Sequence, residues 1–419
     1  MLQGLKTAFK VSDLRTKLLY TLGMLFIFRL GAHIPVPGVV PERFAELVSS
    51  GAIFGFFDII SGGALKNFSV FAMGIMPYIN ASIILNLLTV VIPHLEKLKK
   101  EGEEGRKKIS QYTRYLTVVL AFIQGLGMVV GVGGALQYPG MLSYAIVALT
   151  ITAGTTFLMW MGEQITEKGI GNGISLLIFA GIVSRIPQGV GSVGQYLNAG
   201  TITIFSLILL VIIAALVIAA VVAVQEGQRR IPVRYAKRVV GRRVYGGQTT
   251  HLPLKVNQAG VMPIIFASAL LMFPETIIQM FQGSAAANFY GTYLGWGTAA
   301  HTVIFALLII GFTYFYTAVV MNPNDVADNI KKYGGFIPGL RPGRPTAEYI
   351  SRIMSRVTLS GAIFLALIAI LPNFVLLTTK IPNIYFGGTS LLIVVGVALD
   401  TMKQIESHLL MRSYQGFIR

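Results

Sequence analysis

The 419-residue chain contains no cysteine. Disulfides, iron–sulfur clusters and thiolate-held zinc are therefore excluded. The five histidines, at 33, 94, 251, 301 and 408, show no paired spacing, so no metal centre and no bound cofactor are expected. Charge is scarce as well: Asp, Glu, Lys and Arg make up 12% of the residues, where a soluble domain carries about 25%. Acidic residues are the scarcer sign, 17 against 34 basic ones. No small-x-small cleavage site follows the first apolar run, so that run reads as a membrane span and not as a cleaved leader.

What fills the chain is hydrophobic: 54% of the residues, with mean hydropathy +0.69. A single soluble core of this size is excluded, because such cores stop growing near ~250–300 residues. Ten apolar segments stand out, at about 18–34, 70–92, 113–132, 142–161, 174–186, 202–224, 261–281, 302–321, 356–377 and 388–402. Most approach the ~20 residues that cross the hydrocarbon layer. The fifth and tenth are short and begin at glycines. A run of ~13 residues rises only ~20 Å, so these two are expected to be surrounded by protein.

Placing the N-terminus in the cytoplasm puts 29 of the 34 Lys and Arg residues on the inner side, clustered at 6–17, 97–114, 229–255, 331–356 and 403–419, with Lys168 between. Arg43, Lys66, Arg185 and Lys380 stay outside, and Arg29 lies within the first span, packing or snorkelling near its outer end. This asymmetry is the one expected of ten spans with both termini inside.

The chain also repeats itself. Residues 74–85 read GIMPYINASIIL and residues 260–271 read GVMPIIFASALL, identical at seven of twelve positions. Residues 173–181 read GISLLIFAG and 388–396 read GTSLLIVVG, identical at six of nine. Span two thus echoes span seven, and span five echoes span ten. Five spans per half is an odd number, so the halves cross in opposite senses, an inverted repeat about an axis in the membrane plane. The prolines and glycines of the doubled string are expected to let spans two and seven bend and part.

Catalytic constellations are missing. Glu163 and Asp400 sit at span ends, not at centres. The stretch GIGNGI (169–174) has no preceding strand and no following Lys-Ser/Thr, so it reads as a tight turn into span five and not as a nucleotide loop. What the repeat does align is isoleucine: Ile79 with Ile265, and Ile178 with Ile393, beside Ile75. Near the midplane such residues form either a hydrophobic constriction or ordinary helix packing, and spacing leaves both open. Residues 54–74, FGFFDIISGGALKNFSVFAMG, are apolar and glycine-broken, and read as a re-entrant segment sheltered by protein. Two long inner loops, 225–257 and 322–350, are basic. The first carries strand-like runs around VVG and YGG, the pattern of a projecting hairpin. Their charge suits an anionic partner: RNA, acidic protein or anionic lipid.

Longer strings point to a family. GIMPYINASIIL with its preceding SGGALKNFSVFAMG, KKEGEEGRKKISQYTRY, GEQITEKGIGNGIS, RRIPVRYAKR, THLPLKVNQAGVMP, FIPGLRPGRPT and YFGGTSLLIVVGVALD resemble the SecY family, the central subunits of bacterial protein-conducting channels. The resemblance runs through every span and both loops. It implies an all-α membrane protein of ten helices in two five-helix halves, residues 1–186 and 187–419, closed like a clamshell around an hourglass pore. The pore ring falls on Ile75, Ile79, Ile178, Ile265 and Ile393. The plug that closes the outer funnel falls on 54–68, with Phe54, Phe57, Ile59, Ile60, Gly62, Gly63, Leu65 and Phe68. Spans two, three, seven and eight form a lateral gate, for which Asn80, Asn86, Gln124 and Ser268 are the polar candidates. Arg229, Arg230, Arg234, Lys237, Arg238, Arg242, Arg243 and, foremost, Arg341 fall where the family docks the SecA motor ATPase and the ribosome.

The resemblance further implies SecE and a SecG-like small subunit as partners, with signal sequences and unfolded polypeptides as cargo. It places the protein in the cytoplasmic membrane. On this reading the chain is a passive pore and not an enzyme. A secondary transporter also uses inverted repeats, but usually buries ionisable groups at mid-membrane, and here only Arg29 is a candidate. A membrane enzyme would need a convergent acid, base or metal ligand that the sequence lacks.

Overall fold

The structure, a computed structural model, describes residues 9, 11–40, 58, 61–131, 136–138, 140–200, 203–235, 238–240, 243–245, 249–278, 285–295, 298–379 and 388–416. Phe54, Phe57, Ile59, Ile60, Lys237 and Arg242 lie outside the described residues. The helices are α1 (Ser12–Gly31), α2 (Met76–Val91), α3 (Pro93–Lys100), α4 (Glu103–Gly131), α5 (Met141–Lys168), α6 (Gly173–Asn198) and α7 (Ile204–Glu226). They continue as α8 (Met262–Ile278), α9 (Ala285–Tyr293), α10 (Ala299–Val320), α11 (Pro323–Lys332), α12 (Arg344–Thr379) and α13 (Gly388–Gly416). Helices α1, α2, α4 to α8, α10, α12 and α13 coincide with the ten apolar segments. Among the described residues, six helices are long and apolar enough to cross a membrane, or seven if the bent pair α2–α3 counts as one span.

Two expectations about these helices need correction. Spans five and ten are short only as apolar runs. Helix α6 starts at Gly173 but continues through Pro187 to Asn198, and α13 runs on to Gly416. Hydropathy marks where lipid-compatible residues stop, whereas a helix stops where its hydrogen-bond ladder is broken. The prolines of the doubled string are also not hinges. Pro77 and Pro263 each sit in the first turn of their helix, α2 and α8, where the missing N–H costs nothing. Instead the glycines just ahead do the turning: Gly74 and Gly260 have φ of +57° and +62°, a left-handed conformation that glycine adopts without penalty. The sharp bend lies at the far end of α2, where the chain turns by 100° at Pro93.

Helix packing falls mostly within residues 12–198 and within 204–416. In the first set α4 packs on α2 and α5, and α5 on α6 and α1; in the second α10 packs on α8 and α12, and α13 on α7 and α12. The two sets meet along two principal seams, α8 against α2 and α4, and α13 against α6. Spans that echo each other in sequence are therefore the ones that meet, as repeat-related helices do beside a two-fold axis.

On the basic loops, β1 (Gln228–Tyr235) and β4 (Thr249–Lys255) pair antiparallel, and β2 (Arg238–Val240) pairs with β3 (Arg243–Tyr245), giving the expected hairpin. A short strand from the second loop, β5 (Gly335–Phe336), adds to β1, which the sequence did not suggest. Ile231, Val233 and Leu254 of the hairpin then share a small core with Ile330, Ile337, Ile350 and Met354. The two loops thus form one platform.

Close backbone approach makes one packing prediction sharp. A Cβ at Gly154 of α5 would lie 2.0 Å from the carbonyl oxygen of Val70, whose own N–H is held by Ile34 O at 3.0 Å. Gly154→Val is expected to cost about 3 kcal/mol or more, since backbone cannot yield as a side chain does. Gly194→Ala, with nothing within 4 Å, serves as control. Thermal unfolding followed by circular dichroism checks this; equal midpoints for the two variants would contradict it.

Candidate functional site

The five isoleucines come together. Ile75 caps α2 and Ile79 lies on its first turn; Ile178 lies near the start of α6, Ile265 near the start of α8 and Ile393 near the start of α13. Each is 3–4% exposed, and all belong to one buried cluster that also holds Met76, Ile83, Ile264 and Leu392. The four helix starts are set by local chemistry. Asn172 caps α6, its Oδ1 accepting from Ser175 N at 3.1 Å, and Gly171 turns with φ +90°. Gly173 allows α6 to cross α5 closely, since a Cβ there would meet Gly162 O at 2.0 Å. The glycines of GIGNGI therefore serve a turn and a crossing.

Beside the isoleucine cluster lies the described part of the re-entrant segment, residues 58 and 61–74, of which 61–74 is not helical. It is stitched to the end of α1: Val36 N donates to Phe68 O at 2.9 Å and Val70 N to Ile34 O at 3.0 Å. Its apolar residues divide between two cores. Ala64 joins the ring cluster, whereas Leu65 and Phe68 pack in a second cluster with Val36, Met73, Ala121, Val129 and Ile151. Gly62 and Gly63 turn with φ of +67° and +91°. Two arginines hold this turn, and neither role was read from the sequence. Arg29 Nη1 donates to Gly62 O at 2.6 Å, and Arg185 of α6 forms an ion pair with Asp58. No local pattern could have revealed these contacts, because each joins segments far apart in the chain.

Of the gate candidates, Asn80, Gln124 and Ser268 are buried on α2, α4 and α8, which pack on one another. Ser268 donates to Ile265 O of its own helix at 2.9 Å. Asn86 stands apart, half-buried and bonded to Ser82 within α2 at 3.4 Å. Near the starts of α6 and α8, a cavity of about 460 Å³ is lined by polar groups including Asn172, Ser175, Gln225, Asn257, Asp400 and Gln404. Its wall is tied across the second seam, where Gly171 N donates to Gln404 Oε1 at 2.9 Å.

Arg229, Arg230 and Arg234 are exposed along β1. Arg238 and Arg243 lie on β2 and β3. Arg341 is exposed at a tip framed by Gly339 and Gly343, with φ of +85° and +105°. Thr346 Oγ1 donates to its carbonyl at 2.9 Å.

Residues 69–402 match the SecY family. The chain belongs to the SecY family. Its relative from Halalkalibacterium halodurans, protein translocase subunit SecY, is 50% identical over 432 residues, covering 100% of both chains. Among solved structures, a SecY whose plug domain stabilises the closed state of the translocation channel and maintains a membrane seal aligns with TM-score 0.69 at 20% identity, over 94% of this chain and 92% of that one. Sec61 in the canine ribosome–channel complex from the endoplasmic reticulum aligns with TM-score 0.63 at 18% identity, over the same shares. Like other SecY members, this chain is a multi-pass membrane protein.

Proposed function

We propose that this SecY-family chain is the pore of a protein translocase in the cytoplasmic membrane, with both termini inside, and that it works as a passive gasket. It is a channel subunit for protein translocation. The observation that carries the gasket reading is the set of five isoleucines, four of them paired by the repeat, 3–4% exposed in one buried cluster. An isoleucine side chain makes no hydrogen bonds, so water and ions gain nothing by entering such a ring, while the side chains can yield to a wider polypeptide. An unfolded chain would enter from the polar cavity, displace the cover and pass the ring. Sideways release into lipid would follow from parting of α8 from α2 and α4, with Asn80, Gln124 and Ser268 tuning the opening.

The chain supplies no chemistry in this scheme. Energy comes from SecA hydrolysing ATP or from a translating ribosome, each docking on the basic platform; the Sec61 relative is part of such a ribosome complex. SecE and a SecG-like subunit complete the assembly, and anionic lipids meet its basic inner face. Because the chain has no native cysteine, Ile79→Cys introduces a lone thiol at the ring. A preprotein stalled in transit and carrying one cysteine at its membrane-embedded point should crosslink to it. Absence of that crosslink, with crosslinks forming instead from lipid-facing positions such as Leu209, would remove the central pore.

A further inference from the structure

The charged groups outside the ring form a single arrangement that the translocation scheme does not use. Asp58 is the hub of the cover. Its Oδ1 accepts from Lys66 N at 2.7 Å and its carbonyl from Gly63 N at 2.8 Å, so the carboxylate is fixed relative to the Gly62–Gly63 turn. Its other oxygen faces Arg185 of α6, and the two side chains are only 11% and 17% exposed. Arg29 of α1 grips the same turn from another wall through Gly62 O. The fit is close: a Cβ at Gly62 would lie 2.8 Å from Gly181 Cα and 3.1 Å from Arg29 Nη1, and one at Gly63 would lie 3.2 Å from the Arg185 guanidinium. Arg185 stands about 10 Å beyond Ile178 along α6 by helical rise.

We propose that the Asp58–Arg185 ion pair, with Arg29 on Gly62, is a latch that holds the cover over the ring in the resting channel. The proposal rests on reading this segment as the cover. The anion sits on the part that moves and the cations on the walls that stay, so displacement must separate them. A poorly hydrated pair gains little net stability while whole, but each partner is costly when left alone. A translocating chain must therefore break the latch before it reaches the outer side, and a channel without cargo stays shut. Gly62 and Gly63 let both arginines approach the backbone, which any side chain would prevent.

The test uses the complete translocase reconstituted in planar bilayers without cargo. Asp58→Asn and Arg185→Gln should each raise the frequency of channel opening at least about tenfold, the scale expected when a part-buried pair loses one member. The exchange Asp58→Arg with Arg185→Asp should bring it back toward the wild-type value. Single variants as quiet as wild type would overturn the latch, and so would leaky single variants that the exchange fails to restore. A deletion of residues 61–67 separates the two readings. If the deletion leaks and the single variants do not, the latch alone falls; if the deletion is also quiet, the cover reading falls with it.

Discussion

Ile79→Gly with Ile265→Gly will make the resting channel leak small ions at roughly a hundredfold the wild-type rate or more. The two residues are the aligned pair of the doubled string, on α2 and α8, and each is buried to within 4% of its surface. Each side chain keeps ~2–3 kcal/mol of apolar surface from water. Removing both lowers the cost of wetting the constriction by several kcal/mol, and each ~1.4 kcal/mol is a factor of ten in the wet population. The helices themselves should persist, because neither residue closes a turn or a cap. Single-channel recording without cargo checks the effect. A conductance unchanged from wild type would mean that the seal lies elsewhere, in the cover or in a second constriction. Ile79→Leu with Ile265→Leu should stay tight, since the seal depends on apolar bulk and not on branching.

The second large effect is expected on the platform. Arg341→Glu should lower motor-driven translocation at least about tenfold, because a charge-assisted contact worth ~1.5–3 kcal/mol becomes a repulsion. The geometry makes Arg341 a presenting residue and not a brace. It is exposed at a tip set by two left-handed glycines, the loop is fixed through its carbonyl by Thr346, and among the described residues its guanidinium has no partner. Thermal stability should therefore be unchanged, and Arg341→Lys should recover part of the activity. Import of a preprotein into inverted membrane vesicles with the motor ATPase measures the loss. Normal import by the Glu variant would refute the docking role, and a lowered melting temperature would assign Arg341 to the loop's own structure.

The clustering of these isoleucines was legible because repetition aligned Ile79 with Ile265 and Ile178 with Ile393, and because glycines mark where each helix starts. Helix ends were less legible. The apolar run of α6 stops near Arg185, but a Gln- and Gly-rich stretch carries the helix to Asn198. Proline alone was a poor guide to bending, since its effect depends on its position in the helix: Pro77 begins α2, whereas Pro93 sits at the 100° turn after it. The hairpin could be read from its turns, but β5 is two residues long and exists only because β1 offers it an edge. Asp58, Arg29 and Arg185 are lone charges in sequence, and only the fold gives them a common address.

The joined platform has a mechanical consequence. Its strands leave α7 and return to α8, and its core is completed by α11 and the start of α12. All of these belong to the packing set within residues 204–416. A pull or push on the platform therefore loads the 204–416 set first, and the resulting shear passes to the 12–198 set chiefly at the two seams. The α13–α6 seam carries a cross-tie from Gly171 to Gln404, so it resists as a hinge pin would. On the proposed reading, the seam of α8 with α2 and α4 would be the one to part, turning a force on the platform into an opening toward lipid.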